Sequence, residues 1–166
     1  HFPAINWLTS YSLYVDLLSN WYSENVDKDW MKLRGRLMGL LQEEASLEEI
    51  VKLVGMDALS PGDRLKMETA RSIREDFLHQ LAFHEIDTYT SLKKQLYMMK
   101  LILAYYDLCS EALTKNAPIE KLASLAVREK IGRFKYVHEV NIDAEYDNTM
   151  KQLEKEVNTA FGKEEF

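Results

Sequence analysis

Two phenylalanines and one cluster of histidines and carboxylates are the side chains of this chain best suited to meeting a ligand. Phe2 lies in His1-Phe2-Pro3-Ala4-Ile5-Asn6-Trp7, and Phe83 in Phe77-Leu78-His79-Gln80-Leu81-Ala82-Phe83. A phenyl ring offers a face on which a purine stacks, a contact worth roughly 1–3 kcal/mol per base. Phe83 stands where one predicted helix ends and the next begins, on a loop that can reach a neighbouring domain. By spacing alone, a core phenylalanine at a helix end is the simpler reading of Phe83, and an exposed leader residue that of Phe2.

The other candidates are weaker. No G-x-x-x-x-G-K-[ST] string occurs. That loop presents successive backbone N–H groups to phosphate oxygens, so hydrolysis of ATP by this route is not expected of the chain alone. His79, His84, Glu85 and Asp87 gather near a helix end. A metal site on a helix wants histidines four apart. Five positions turn about 500°, so these two diverge by roughly 140° and no metal site is expected. Cys109 reads as a small buried apolar residue, and Tyr97, Tyr105 and Tyr106 as core. Glu43-Glu44 and Glu48-Glu49 read as solvated face and caps rather than a catalytic pair. Gly35-x-x-x-Gly39 sits beside Arg34 and Arg36, which suggests a close helix crossing in water rather than in a membrane.

Composition bounds the elements that must position these groups. The chain has 166 residues, 46% hydrophobic and 29% charged, with a net charge of −6. That is one globular domain, with or without a short leader, large enough to bury roughly two thirds of its unfolded surface. Without a dense basic block, nucleic acid is not an expected partner. A single cysteine allows no internal disulfide and fits a reducing compartment. No apolar run approaches the ~20 residues that span a bilayer. The first ten residues lack the basic end and long apolar stretch of a signal peptide, so the expected location is cytoplasmic.

The pattern reads as helix after helix, an all-α antiparallel bundle with short loops. Residues 1–12 form an extended leader and residues 13–166 the bundle domain. The spacing predicts a helix over 13–23 and a second capped by Asp27, with Trp30, Leu33, Leu37, Leu40 and Leu41 at helical intervals. Ser46-Leu47-Glu48-Glu49 has capping-box form and predicts a separate short helix through Val54, stopped by Gly55. Ser60-Pro61-Gly62-Asp63 predicts a start, with Leu65, Thr69, Ile73 and Phe77 on one stripe to about residue 81. The longest pattern starts near Ser91 and carries Leu92, Leu96, Met99, Leu103, Tyr106 and Leu113. Asn116-Ala117-Pro118 ends it. Short helices over 119–122 and 127–134 follow, and a charged terminal helix over 143–161.

Three segments carry a family resemblance. His1-Phe2-Pro3-Ala4-Ile5-Asn6-Trp7-Leu8-Thr9-Ser10-Tyr11-Ser12 resembles the segment leaving the nucleotide-binding domain in the catalytic A subunits of A-type and V-type ATP synthases. F-type catalytic beta subunits have a similar segment, whose aromatic residue packs on adenine; Phe2 is the matching position. Asp76-Phe77-Leu78-His79-Gln80-Leu81-Ala82-Phe83 is similar to the A-subunit stretch whose phenylalanine faces the other side of the base. Leu81 stands where Asn is usual, so no polar contact is implied there. Leu53-Val54-Gly55-Met56-Asp57-Ala58-Leu59-Ser60-Pro61-Gly62-Asp63 is similar to the F-type beta segment that touches the rotating stalk. Asp57, Leu59, Ser60 and Asp63 match, while Ala58, Pro61 and Gly62 replace acidic positions and make a less charge-driven contact. The likeness runs from His1 to about Val137, and the last 25 or so residues resemble the variable terminal helix.

The resemblance implies the C-terminal helical domain of an ATP-binding catalytic A subunit in a proton- or sodium-translocating rotary ATPase. Phe2 and Phe83 would sandwich adenine, and the turn holding Asp57, Leu59, Ser60 and Asp63 would press on the central stalk. ATP or ADP with Mg would be held mainly by the nucleotide-binding domain of the same subunit. The other implied partners are the B subunits of the catalytic hexamer and the stalk subunits, in a soluble sector peripheral to the membrane. No catalytic residue or metal ligand of this chain is implied. The residues leave two further classes open: a helical interaction module with no nucleotide role, marked by an apolar patch, and an independent helical enzyme or metal protein, marked by a polar pocket holding His79 or His84 with carboxylates.

Overall fold

A computed structural model describes residues 15–79 and 90–162. Among these residues all regular structure is helical. The helices are α1 (Val15–Asn25), α2 (Trp30–Val54), α3 (Pro61–Ser72), α4 (Leu92–Thr114), α5 (Ile119–Ala123), α6 (Val127–Gly132) and α7 (Ile142–Ala160). A π-helical turn, Ile73–Leu78, continues α3, and 3-10 turns cover Met56–Ala58, Phe134–Tyr136 and Glu139–Asn141. The leader lies outside the described residues.

Several boundaries follow from local chemistry. The Ser60 hydroxyl accepts from the Asp63 N–H at 3.1 Å, and Pro61 opens α3 where a missing N–H leaves no bond unmade. Ser91 caps α4 by accepting from the Lys94 N–H at 3.0 Å. Gly55 ends α2 at φ 88°, a conformation that disfavours side chains, and its N–H reaches the Val51 carbonyl. Asn116 takes φ 64° just past α4.

Two expectations are corrected. The box at Ser46 starts no new helix: α2 runs unbroken from Trp30 to Val54. Gln42, Glu43, Glu44 and Ala45 all favour helix, and the buried stripe Leu37, Leu40, Leu41, Glu44, Leu47 passes through them without a break. Asp27 is not the cap residue either. It organises the turn before α2, accepting from the Asp29 N–H at 2.8 Å and lying 3.3 Å from the Lys100 ammonium. That hydrogen bond, with Lys100 assisting, holds its carboxyl below the usual range.

The helix α4 is the centre of the fold, packed by α2, α3 and α7. Its Leu101, Ile102, Leu103, Tyr105 and Cys109 are all buried, so it is covered on several faces. Ion pairs give the directions. The short connection from Val54 to Pro61 folds α3 back on α2 as an antiparallel hairpin, bridged by Glu43–Lys66 and Glu44–Arg74. Asp27–Lys100 and Arg36–Asp107 run in step, so α2 and α4 are parallel. The Tyr97–Tyr146 stack and the Lys115–Phe161 contact set α7 parallel to α4 as well. Successive long helices reverse, and α5, α6 and the 3-10 turns return the chain for α7. Although charged outside, α7 buries Ile142, Thr149, Leu153, Val157 and Ala160. Each fully buried leucine, such as Leu65, Leu101, Leu122 and Leu153, contributes about 1.5–3 kcal/mol.

Candidate functional site

Of the predicted adenine contacts, neither Phe2 nor Phe83 lies within the described residues; His84, Glu85 and Asp87 also fall outside them. What the structure places is the stretch that precedes Phe83 in sequence. The π-helical turn Ile73–Leu78 leads to it, held on both flanks. Arg74 donates to Glu44, Nη2 to Oε1 at 2.6 Å and Nε to Oε2 at 3.1 Å. On the other flank the Lys135 ammonium donates to the carbonyls of Glu75 and His79, both at 3.2 Å. A π-turn leaves carbonyl groups out of α-helical register, and a cation on its last carbonyls supplies the missing donor.

Beside this turn lies a polar seam between α3 and α6. Arg128 donates to the Glu68 carboxylate (2.8 Å), the Glu68 carbonyl (3.1 Å), the Ala123 carbonyl (2.7 Å) and the Ser72 hydroxyl (3.2 Å), and its guanidinium lies 5.0 Å from the Tyr105 ring centroid. Tyr105 in turn donates to the Leu122 carbonyl at 3.0 Å. Burial pushes the Tyr105 hydroxyl up and the Cys109 thiol up to about 12. A thiol so raised is un-ionised at neutral pH, so Cys109 is a packing residue, not a nucleophile. Half-buried Asp76 has its carboxyl pushed up chiefly by desolvation, with Glu75 adding to the rise and Lys135, Arg128 and Ser72 opposing it.

The predicted stalk turn is fully described, and its residues divide. Asp57 is exposed, whereas Leu59 is only 8% exposed and holds the turn to the bundle. Ser60 is spent on the cap, and Asp63 lies 3.9 Å from Lys66, itself paired with Glu43 at 3.3 Å. Sequence reasoning missed the most conspicuous feature here. Leu53 (85% exposed), Val54 (63%), Ile50 and Met56 make an apolar tip at the end of α2. The signal was present: apolar residues at 50, 51, 53, 54 and 56 are too many for one buried stripe. Also missed were Glu44, read as solvated but buried and paired with the partly exposed Arg74, and fully buried Lys94. Gly35 and Gly39 do not make the expected close crossing, since no described atom lies within 4 Å of a Cβ built on either.

An apolar hollow of about 400 Å³ opens between α1, α2, α4 and the π-turn, lined by Tyr22, Trp30, Met38, Phe77 and Met99 with Arg34 and Gln95 as polar members. It gathers neither His79 nor a carboxylate. Among the described residues no group of three His, Cys, Asp or Glu side chains could hold a metal ion. No helix among them is long and apolar enough to cross a membrane.

The comparisons agree with this architecture. The family model for the C-terminal domain of V and A type ATP synthase matches residues 19–123. The V-type ATP synthase alpha chain of Acetivibrio thermocellus is 56% identical over 99% of this chain and 28% of its own length. That of Thermoanaerobacter pseudethanolicus is 56% identical over 93% of this chain and 26% of its own, and that of Clostridium botulinum strain Hall 59% identical over 86% and 24%. The chain thus spans about a quarter of the length of these relatives. With the matched residues running from α1 through α5, across the hairpin, the π-turn and the central helix, this chain belongs to the family of C-terminal domains of V- and A-type ATP synthases.

Proposed function

We propose that this chain completes the adenine pocket of a rotary ATPase catalytic subunit and carries nucleotide-driven movement to the central stalk. Phe2 and Phe83 would clamp the two faces of the base. Phosphate and Mg²⁺ chemistry would belong to the nucleotide-binding domain, and the subunit would sit with B subunits in a cytoplasmic sector at the membrane surface. The subunit as a whole would couple ATP hydrolysis or synthesis to ion movement.

One observation supports the transmission reading above the rest: the hairpin of α2 and α3 has an exposed apolar tip and is tied to the π-turn. The 25 residues of α2 extend about 37 Å. At the tip stand Leu53, Val54, Met56 and Asp57, and along the shaft Glu44 grips Arg74 in the turn that leads to Phe83. Close-packed helices pass on a displacement rather than absorb it. Nucleotide moves such a lever only if it binds one position of the domain better than another. The apolar tip also agrees with a stalk contact made through packing more than charge. Stacking alone, even at ~3 kcal/mol, gives a Kd weaker than about 1 mM, so the chain by itself would hold ATP poorly.

The test uses the full-length subunit in its assembly. Phe83→Ala is expected to weaken nucleotide binding, and unchanged affinity removes the adenine role. A cysteine at exposed Asp57 is expected to crosslink to a stalk subunit in a nucleotide-dependent way. If no product forms in any nucleotide state, the stalk contact is wrong.

A further inference from the structure

The hollow between α1, α2, α4 and the π-turn has no part in the roles proposed above. Its volume of about 400 Å³ lies within the range of small-molecule sites, about 300–1,000 Å³. Protein interiors are close-packed and leave few voids wider than a water molecule. Here the core itself forms the wall: Leu37, Leu41, Ile73 and Met99 all line the hollow, and each is almost wholly buried.

One side of α2 gives the hollow a polar end and an apolar end. Trp30, Arg34, Leu37, Met38 and Leu41 line it and recur at helical spacing, so they stand along one face. Trp30 and Arg34 are neighbours one turn apart. Arg34 is exposed, and no carboxylate pairs with it among the described residues. Trp30 is only 6% exposed, yet its indole N–H meets no acceptor there. The ring of Tyr22 stacks on Trp30 at 5.0 Å, and its hydroxyl is likewise without a partner. Gln95, the other polar member, donates to the Thr90 carbonyl at 3.3 Å. One end thus holds three unused donors, one of them cationic. Towards the other end Leu37, Met38 and Leu41 are apolar, and a methionine adapts to the shape of what it meets. No Asp or Glu stands among the lining residues, so nothing in the wall repels an anion.

We propose that this hollow binds a small amphiphilic carboxylate, an apolar chain or ring bearing a single negative charge. The head accepts from Arg34, with the Trp30 N–H and the Tyr22 hydroxyl as further donors, and the body lies against Leu37, Met38 and Leu41. A guanidinium forks onto the two oxygens of a carboxylate. An alkyl cation meets the same guanidinium as a like charge, and an alcohol gives it no charge to pair. Because Phe77 and Leu78 of the π-turn also line the hollow, the occupant bridges α2 to that turn. The site needs neither the adenine contact nor the stalk contact to be right.

The probe is decanoate, kept below the concentration at which it forms micelles and added to the full-length subunit in its assembly. A photoreactive analogue carrying a diazirine on the chain is expected to label the lining residues of α1, α2 or the π-turn, and plain decanoate to compete. Arg34→Gln is expected to weaken that competition about tenfold, the loss of one charge-assisted hydrogen bond. Decanol and decyltrimethylammonium should compete far less well than decanoate on wild type, and decanol should not distinguish wild type from Arg34→Gln. Met38→Trp, which fills the hollow from the same helix face, should suppress the labelling. Labelling absent, or confined to other surfaces, means that protein closes the hollow and overturns the proposal. Equal competition by the three amphiphiles, or equal competition by decanoate on wild type and Arg34→Gln, reduces the hollow to an unselective apolar surface and also overturns it. Arg34 is exposed, so its substitution carries the test even if Met38→Trp does not fold.

Discussion

A Cβ atom placed on Gly132 would lie 2.9 Å from Oδ1 of Asp76 and 3.2 Å from its Cγ. The end of α6 and the π-turn therefore meet with room for a hydrogen and nothing larger. Asp76 also feels the charges of Lys135, whose ammonium holds carbonyls of this turn, and of Arg128 in the neighbouring polar seam.

Gly132→Ala should destabilise the chain by about 1 kcal/mol, the low end of the range for overpacking, because the obstructing atoms end a side chain rather than belong to backbone. Thermal unfolding should show a fall of about 2–4 °C. Shortening the obstacle with Asp76→Ala should make the second substitution nearly free of further cost, a non-additivity visible in a double-mutant cycle. If Gly132→Ala proves neutral or stabilising, the close approach is not what holds the turn.

Asp76 also predicts a pH dependence. Its carboxyl is raised in the folded state, chiefly by desolvation with Glu75 adding, against the pull of Lys135, Arg128 and Ser72. The folded state therefore binds its proton more tightly than the unfolded one, and the stability from this group declines as pH rises. The contribution is complete below the ordinary aspartate value of 3.8 and is lost through the raised folded value. Asp27 and Asp143 are held low and act in the opposite direction, so the whole-chain curve mixes both signs. The difference between wild type and Asp76→Asn isolates the effect. Urea titrations should find Asp76→Asn gaining on wild type as pH rises from 3 to 7; a flat difference would refute the assignment.

Breaking the Glu44–Arg74 pair should be felt at the π-turn. Removing one partner of a buried pair costs about 3–5 kcal/mol. Arg74, however, is 39% exposed and can be rehydrated, which brings the expected cost of Glu44→Ala to about 1–2 kcal/mol. Hydrogen exchange should quicken first at the amides of 73–79, ahead of those in α4. Uniform quickening would mean the pair stabilises the whole bundle rather than this turn.

Gly35 offers the converse case. It is an exposed residue inside α2, and no described atom approaches the place a Cβ would take. Gly35→Ala should stabilise the chain by about 0.5–1 kcal/mol through helix propensity. A loss of stability in chemical unfolding would show that something does pack there.

Most of what was legible in the residue order has its partners within four positions. The start of α3 at Ser60-Pro61-Gly62-Asp63, the start of α4 near Ser91 and the stop at Gly55 are all short-range features, and each was legible because the neighbouring residues that make it stand together in the chain. The family was legible for the same reason, since the strings around Phe83 and from Leu53 to Asp63 are contiguous. Tertiary structure decided what depends on which helices meet. The box at Ser46 was overruled because a continuous buried face extends α2 through it. The charged residues Glu44 and Lys94 went inside because Arg74 and the Lys135 carbonyl, 30 and 41 positions away, received them. Leu53 and Val54 stayed outside because no described helix packs over that end of α2. A local hydrogen bond such as that at Ser60 or Ser91 needs only near neighbours and a helix end to serve, whereas burial of a charge or exposure of a leucine is settled only when a distant surface arrives or does not.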